Sequence, residues 1–289
     1  MSEYIIITDT SADIPAEILA KGQIHIIPMV YQLNGEEHPH KDPGTWDSKA
    51  FYDKLRAGGT GSTSQIPPVT YTEYFEPFLK EGKDILYISL SGGLTSTWQS
   101  SHLAATELME KYPERQISCV DSLAATGGQG ILVILACENQ EKGMSLEENT
   151  RWLEENRLHI CHWFTVDDLD FLKRGGRISP TVAWIGGKLK IKPILRIVED
   201  GTLAIPEKVR GSKAAMNTIV SKYISSGLNE ENPYVFLCHG DAAEQAEKEK
   251  AEILAAVPGA KVTILPMSPI IGIHCGPGVQ AVIYFGNNR

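Results

Sequence analysis

The chain has no cysteine pair at redox or metal spacing, no apolar run long enough for a bilayer, no excess of basic residues and no low-complexity stretch. Each absence removes a class of protein. Five cysteines, Cys119, Cys137, Cys161, Cys238 and Cys275, lie far apart without a C-x-x-C. That odd number fits reduced thiols in the cytoplasm better than a disulfide scaffold. The longest fully apolar run, Ile131 to Cys137, falls well short of the ~20 residues of a membrane helix, so no stable membrane insertion is expected. MSEY passes directly into a strand-like run, without the basic and apolar segments of a signal peptide. Lys and Arg number 27 against 36 Asp and Glu, a net charge of −9 with His neutral, which argues against nucleic acid as a main partner. No G-x-x-x-x-G-K-[ST] loop is present, and the serine at 91 lacks the G-x-S-x-G elbow of hydrolases.

What remains is a globular composition, 42% hydrophobic and 22% charged over 289 residues, enough for two domains. Tyr4 to Thr8 reads as a buried strand, a short helix follows near Pro15 with Gly22 at its end, and Gln23 to Val30 reads as one further strand before a turn at Asn34-Gly35. Thr60 to Pro68 holds too much Gly and Pro to be regular structure. A helix over 70–81, a strand at Asp84 to Leu90, a helix from Trp98 and a strand at Ile117 to Val120 complete an alternation that predicts a doubly wound parallel sheet. Beyond the acidic helix Ser145 to Asn156 the pattern changes. Pro193 to Val198 and Leu203 to Val209, joined by Glu199-Asp200-Gly201-Thr202, read as a hairpin. The expected fold is therefore α/β, with a parallel-sheet domain over 1–159 and a second α/β domain with a mixed or antiparallel sheet over 160–289.

Ser89 to Ser101, SLSGGLTSTWQSS, carries seven hydroxyl side chains and two glycines between a strand and a helix. Unpaired N–H groups and the positive end of the helix dipole favour a carboxylate or phosphate there, although Ser and Thr are also ordinary helix caps. In a parallel sheet the Asp9 to Asp13, Ser89 to Thr97 and Asp121-Ser122 loops gather on one edge, joined by Thr60 to Gln65. Between Lys173 and Lys213 ten Lys or Arg face three acidic residues, either a solvated face or a docking surface for an acidic partner or phosphorylated ligand. Lys208 and Arg210 share one strand face. Gly175-Gly176 reads as a helix C-cap, with Arg177 beside the helix end. GIHCGPG, Gly272 to Gly278, reads as a histidine in a Gly- and Pro-rich turn. His159, Cys161 and His162 are close in sequence, but a strand turns His162 away from the other two, against a zinc site.

Taken in order, TDTSADIP (Thr8 to Pro15), TSQ (Thr63 to Gln65), LTSTWQSS, VDS (Val120 to Ser122), LKRGGRIS (Leu172 to Ser179), IKPIL (Ile191 to Leu195) and GIHCGPG resemble the DegV family of bacterial fatty-acid-binding proteins, essentially end to end. The resemblance implies two α/β domains holding a long-chain fatty acid of the C16–C18 class, with no catalysis of their own and no cofactor. It also implies a separate dihydroxyacetone-kinase-like fatty acid kinase that phosphorylates the presented carboxylate. Thr63, Ser64, Ser91, Thr95 and Ser96 would contact that carboxylate. His274 and Arg210 would form a polar network at the mouth, with Arg177 and Lys208 as further polar or docking residues. The family usually has Gly where this chain has Ser96, and a positive φ there would cost on the order of 1 kcal/mol. The competing reading is a small-molecule phosphotransferase using the same loops.

Overall fold

A computed structural model describes residues 3–41, 43–44, 46–179, 191–226, 229–287 and 289. In chain order the first elements are β1 (Tyr4–Asp9), α1 (Ala16–Leu19), β2 (Ile24–Ile27), β3 (Met29–Leu33), β4 (Glu36–His40), α2 (Ser48–Arg56), β5 (Gly61–Ser64), α3 (Pro68–Lys80), β6 (Asp84–Ser89), α4 (Thr97–Lys111), β7 (Ile117–Asp121), α5 (Gly127–Glu141) and α6 (Leu146–Asn156). There follow β8 (Ile160–Thr165), α7 (Asp170–Arg174), β9 (Ile191–Ile197), β10 (Leu203–Arg210), α8 (Ser212–Ser226), β11 (Tyr234–His239), α9 (Ala243–Ala256), β12 (Lys261–Pro266), α10 (Pro269–Cys275) and β13 (Gln280–Phe285). A parallel sheet runs in the order β2-β1-β6-β7, a mixed sheet β10-β9-β8-β13-β11-β12, and a small antiparallel sheet β4-β3-β5.

The strands of the parallel sheet need cover on both faces, and β6 shows it: every residue of DILYIS is buried. Helix α5 supplies one layer of that cover and of the next sheet's too. It packs on β1 and β6 on one side and on β8, β11 and β13 on the other. Its residues are accordingly buried around the whole circumference from Gly127 to Cys137. Glycine makes the approach close enough. A Cβ at Gly128 would lie 2.1 Å from His162 Nε2, and one at Gly130 2.3 Å from the Asp13 carbonyl oxygen.

The entry to α5 is strained. Thr126 has φ 49° and ψ −131°, a region that a β-branched residue occupies only when its surroundings enforce it. Asp13 does the enforcing, since its buried carboxylate accepts the Thr126 hydroxyl and, at 3.0 Å, the backbone N–H of Ser268. Burial pushes the Asp13 carboxyl up to about 7 despite those donors.

The hairpin expected around Asp200-Gly201 is β9 and β10, antiparallel, with Gly201 at φ 79°. Asn34-Gly35 is likewise a turn with both residues at positive φ, as a two-residue hairpin requires. Three expectations are corrected. Gln23 to Val30 is two strands, because Pro28 has no N–H for the ladder and the chain leaves the parallel sheet there to begin β3 in another. Gly61 to Ser64 is regular after all, paired at the edge of β3 before Pro67 and Pro68 start α3. Ser96 has φ −86°, so no left-handed strain arises at that position.

On α9, Glu249 is buried with Oε1 unpaired among the described residues, and burial raises its carboxyl to about 7. A raised carboxyl favours the folded state below its unfolded value and loses that contribution as pH climbs through the folded one. Glu249→Gln is therefore expected to be more stable than the parent by about 1–3 kcal/mol near pH 8, and by almost nothing near pH 4, in urea unfolding. An equal gain at both pH values would contradict this.

Candidate functional site

Beneath the N-terminal end of α5, a pocket opens between the two large sheets and the small one. Its interior is hydrocarbon: Leu90, Leu94, Phe164, Ile197, Ile270 and Ile283 are in its wall. Strand periodicity explains how. Ile160, His162 and Phe164 of β8 turn to the α5 side, while Cys161 and Trp163 turn to the opposite core. Polar side chains enter from the small sheet and the residue after it, from the serine loop, from the segment after α7 and from α10, as Thr63, Ser64, Gln65, Thr95, Arg177 and His274. The pocket is thus amphipathic.

His274 is on the last turn of α10, and not in the turn that follows it, where Gly276 and Gly278 take φ 76° and 80°. The GIHC segment continues the helix because Pro269 starts it and only Gly276 stops it. The imidazole is buried, and its Nε2 is 2.8 Å from Thr63 Oγ1. Burial, reinforced by the Arg177 charge, lowers its pKa to about 3, so the ring is neutral at physiological pH. Gly175 makes room for it, since a Cβ there would lie 2.3 Å from His274 Nδ1. Arg177 donates back to the Gly175 carbonyl, which keeps its guanidinium at this corner. A hydroxyl beside an imidazole invites comparison with a nucleophile and its base. This imidazole is too weak a base, and its neighbour is a cation where an orienting carboxylate would be needed. The corner is suited to holding an anion, with one positive charge and neutral donors around it.

Thr95, also in the pocket wall, precedes α4 and shares a 2.9 Å hydrogen bond with Thr97, next to the unpaired N–H groups of a 15-residue helix. Ser91 is elsewhere. Its hydroxyl donates to the Gly201 carbonyl at 2.8 Å and accepts from the Gly93 N–H at 3.2 Å, so the serine loop grips the tip of the β9–β10 hairpin instead of facing the pocket. The seam is tight: a Cβ on Gly201 would stand 2.1 Å from Ser91 Oγ, and one on Gly93 2.6 Å from the Gly201 carbonyl carbon. Ser96 is exposed at the cap of α4 without a side-chain cap bond. Lys208 and Arg210 share the exposed face of edge strand β10, as alternation requires, and neither is in the pocket wall. Lys188 and Lys190 of the basic segment lie outside the described residues.

Two wall residues escaped the sequence reading. His162 Nε2 lies 3.2 Å from the Ala125 carbonyl oxygen and 3.3 Å from the Ala125 N–H, and burial holds the ring neutral, at about 3; its parity with Ile160 and Phe164 was the available signal. Thr126 had none, because its position depends on Asp13, far away in sequence. Among the described residues no cluster of His, Cys, Asp or Glu suits a metal ion, and no helix is long and apolar enough to cross a membrane. All five cysteines are free.

The family described as "Uncharacterised protein, DegV family" matches residues 4–287. A DegV domain-containing protein of Clostridium perfringens is 37% identical over 289 residues, covering 100% of this chain and 99% of its own length. Among solved structures, a DegV described as a fatty acid binding protein from Bacillus subtilis superposes with a TM-score of 0.85 at 28% identity, covering 99% of this chain and 100% of its own. A DegV family protein from Thermus thermophilus, described by its fatty acid binding, gives 0.86 at 27%, with the same coverage.

The His274 environment is directly measurable. In ring NMR titrations the parent's His274 is expected to stay neutral down to about 3, and Arg177→Gln to raise the midpoint while burial still holds it below 6.5. Titration near 6.5 in the parent would overturn the assignment.

Proposed function

The chain belongs to the DegV family, and on that premise we propose that it binds a long-chain fatty acid of the C16–C18 class and presents the carboxylate to a separate fatty acid kinase. The observation that carries the reading is the division of the pocket, hydrocarbon over most of its wall and donors gathered at one corner. That is the polarity of a fatty acid. Residues 1–159 and 160–289 act in this reading as two domains sharing one ligand, and the working compartment is the cytoplasm.

The tail supplies the affinity. Burying about sixteen methylenes at ~0.8 kcal/mol each amounts to roughly 12 kcal/mol before ordering costs. Met29 and Met267, unbranched and adaptable, are in the wall and can fit themselves to an acyl chain. The head then fixes orientation. Hydrogen bonds to a carboxylate contribute roughly 1.5–3 kcal/mol each, and in this reading Thr63, Thr95, Arg177 and the neutral His274, all in the wall, make them. Neutrality of His274 leaves one full positive charge, that of Arg177, opposite one carboxylate, so the acid binds ionised. The kinase approaches from outside, and the exposed Lys208 and Arg210 offer it a cationic strand.

Denaturing the purified protein, extracting it with organic solvent and running mass spectrometry should return a stoichiometric long-chain fatty acid; an empty or nucleotide-loaded protein would favour the phosphotransferase reading. Thr95→Ala is expected to retain the lipid and lose kinase-dependent phosphorylation of it. Complete loss of lipid from a folded variant would show that the head carries more of the affinity than this account allows.

A further inference from the structure

The opposite face of the mixed sheet carries a second concavity, a polar groove of about 640 Å³ between the N-terminal ends of α8 and α9. Its floor is the register pair Thr165 and Gln280, the last residue of β8 against the first of β13. Side-chain parity separates it from the acyl pocket: His162 and Phe164 face α5, and Thr165 faces α8 and α9. Strands β8, β10 and β11 all end at this edge, the position where α/β sheets bind ligands. Two long helices, of 15 and 14 residues, begin here, and α9 has no side-chain cap. The first N–H groups of α9 are therefore open to an anion.

A second observation points the same way. Thr165 is 5% exposed, and its Oγ1 has no hydrogen-bond partner among the described residues. A buried hydroxyl without a partner is costly to leave so, and its residue is in the groove floor. The charges are sorted along it. Lys192 is engaged with Asp167 at 2.7 Å, Arg56 with Asp241, and Lys248 with Glu244 at 2.9 Å. Lys213, in the first turn of α8, has no carboxylate partner among the described residues. Glu252 is the opposing charge, and at about 1.5 Å per residue it lies roughly 13 Å down α9 from the helix start. The groove thus has Lys213 beside the paired Lys192–Asp167 and Arg56–Asp241 at the helix N-termini, and a hydroxyl-accepting far end at Glu252.

We propose that this groove is a second ligand site, independent of the acyl pocket, which takes a phosphomonoester of a small hydroxylated molecule. The phosphate sits at the α8 and α9 N-termini against Lys213 and Thr165, and hydroxyls of the remainder run past Gln245 toward Glu252. No bond is made or broken there.

Calorimetric titration of the full-length protein at fixed ionic strength, with inorganic phosphate and with glycerol 3-phosphate, tests it. Both are expected to bind saturably, the ester more tightly. Lys213→Ala and the isosteric Thr165→Val should each weaken the ester by about tenfold or more. Lys208→Ala, in the same basic segment but outside the groove, and Thr63→Val, in the acyl pocket, should change nothing. Absence of saturable binding, an ester no better than phosphate, or equal losses on Lys208→Ala would each overturn the proposal.

Discussion

Helix α5 is apolar on every side, and a helix of that kind has to be enclosed. One sheet covers only one of its faces. The parallel sheet and the mixed sheet are therefore held against the same 15-residue element, and the largest described core cluster runs through both of them by way of it. Where α5 begins, the enclosure stops, and Ala125 and Thr126 become pocket wall. The ligand space is in this sense the unfilled continuation of the helix's own packing. The strained residue at its N-cap, Thr126, is fixed by Asp13, whose other oxygen holds the start of α10, the helix that carries His274. Helix start, pocket wall and polar corner are tied to one buried carboxylate.

The polar corner works through restraint in charge. Burying several ionised groups together would cost several kcal/mol per ion unless each were matched. Here the histidine gives up its charge, the threonines and backbone N–H groups are neutral donors, and Arg177 alone stays cationic. A single carboxylate, as proposed, would meet such an arrangement with little surplus on either side.

Much of this was legible in the chain. Strand and helix alternation gave the parallel sheet, Glu199 to Thr202 gave the hairpin, and parity along β8 separated His162 from Cys161. The motifs around Thr63, Thr95, Arg177 and His274 marked four residues that the fold brings into one wall. What escaped was of two kinds. Local propensity misjudged Gly61 to Ser64 and GIHC, because β3 pairing and Pro269 outweigh glycine's reluctance. Tertiary dependence hid Ser91 and Thr126, whose partners, Gly201 and Asp13, are more than a hundred residues away. Hydroxyl-rich loops look alike in sequence whether they face a ligand or a neighbouring turn.

The contact between Ser91 and Gly201 bears on how such a chain can diverge. Positions 93 and 201 each sit where a single added carbon would strike the other segment. They belong to different sheets and to loops that on their own would tolerate change. Neither can gain a side chain without displacing the other, so the serine loop and the hairpin tip are constrained as a unit. A graft that moves one loop between relatives without the other would transplant half of a joint.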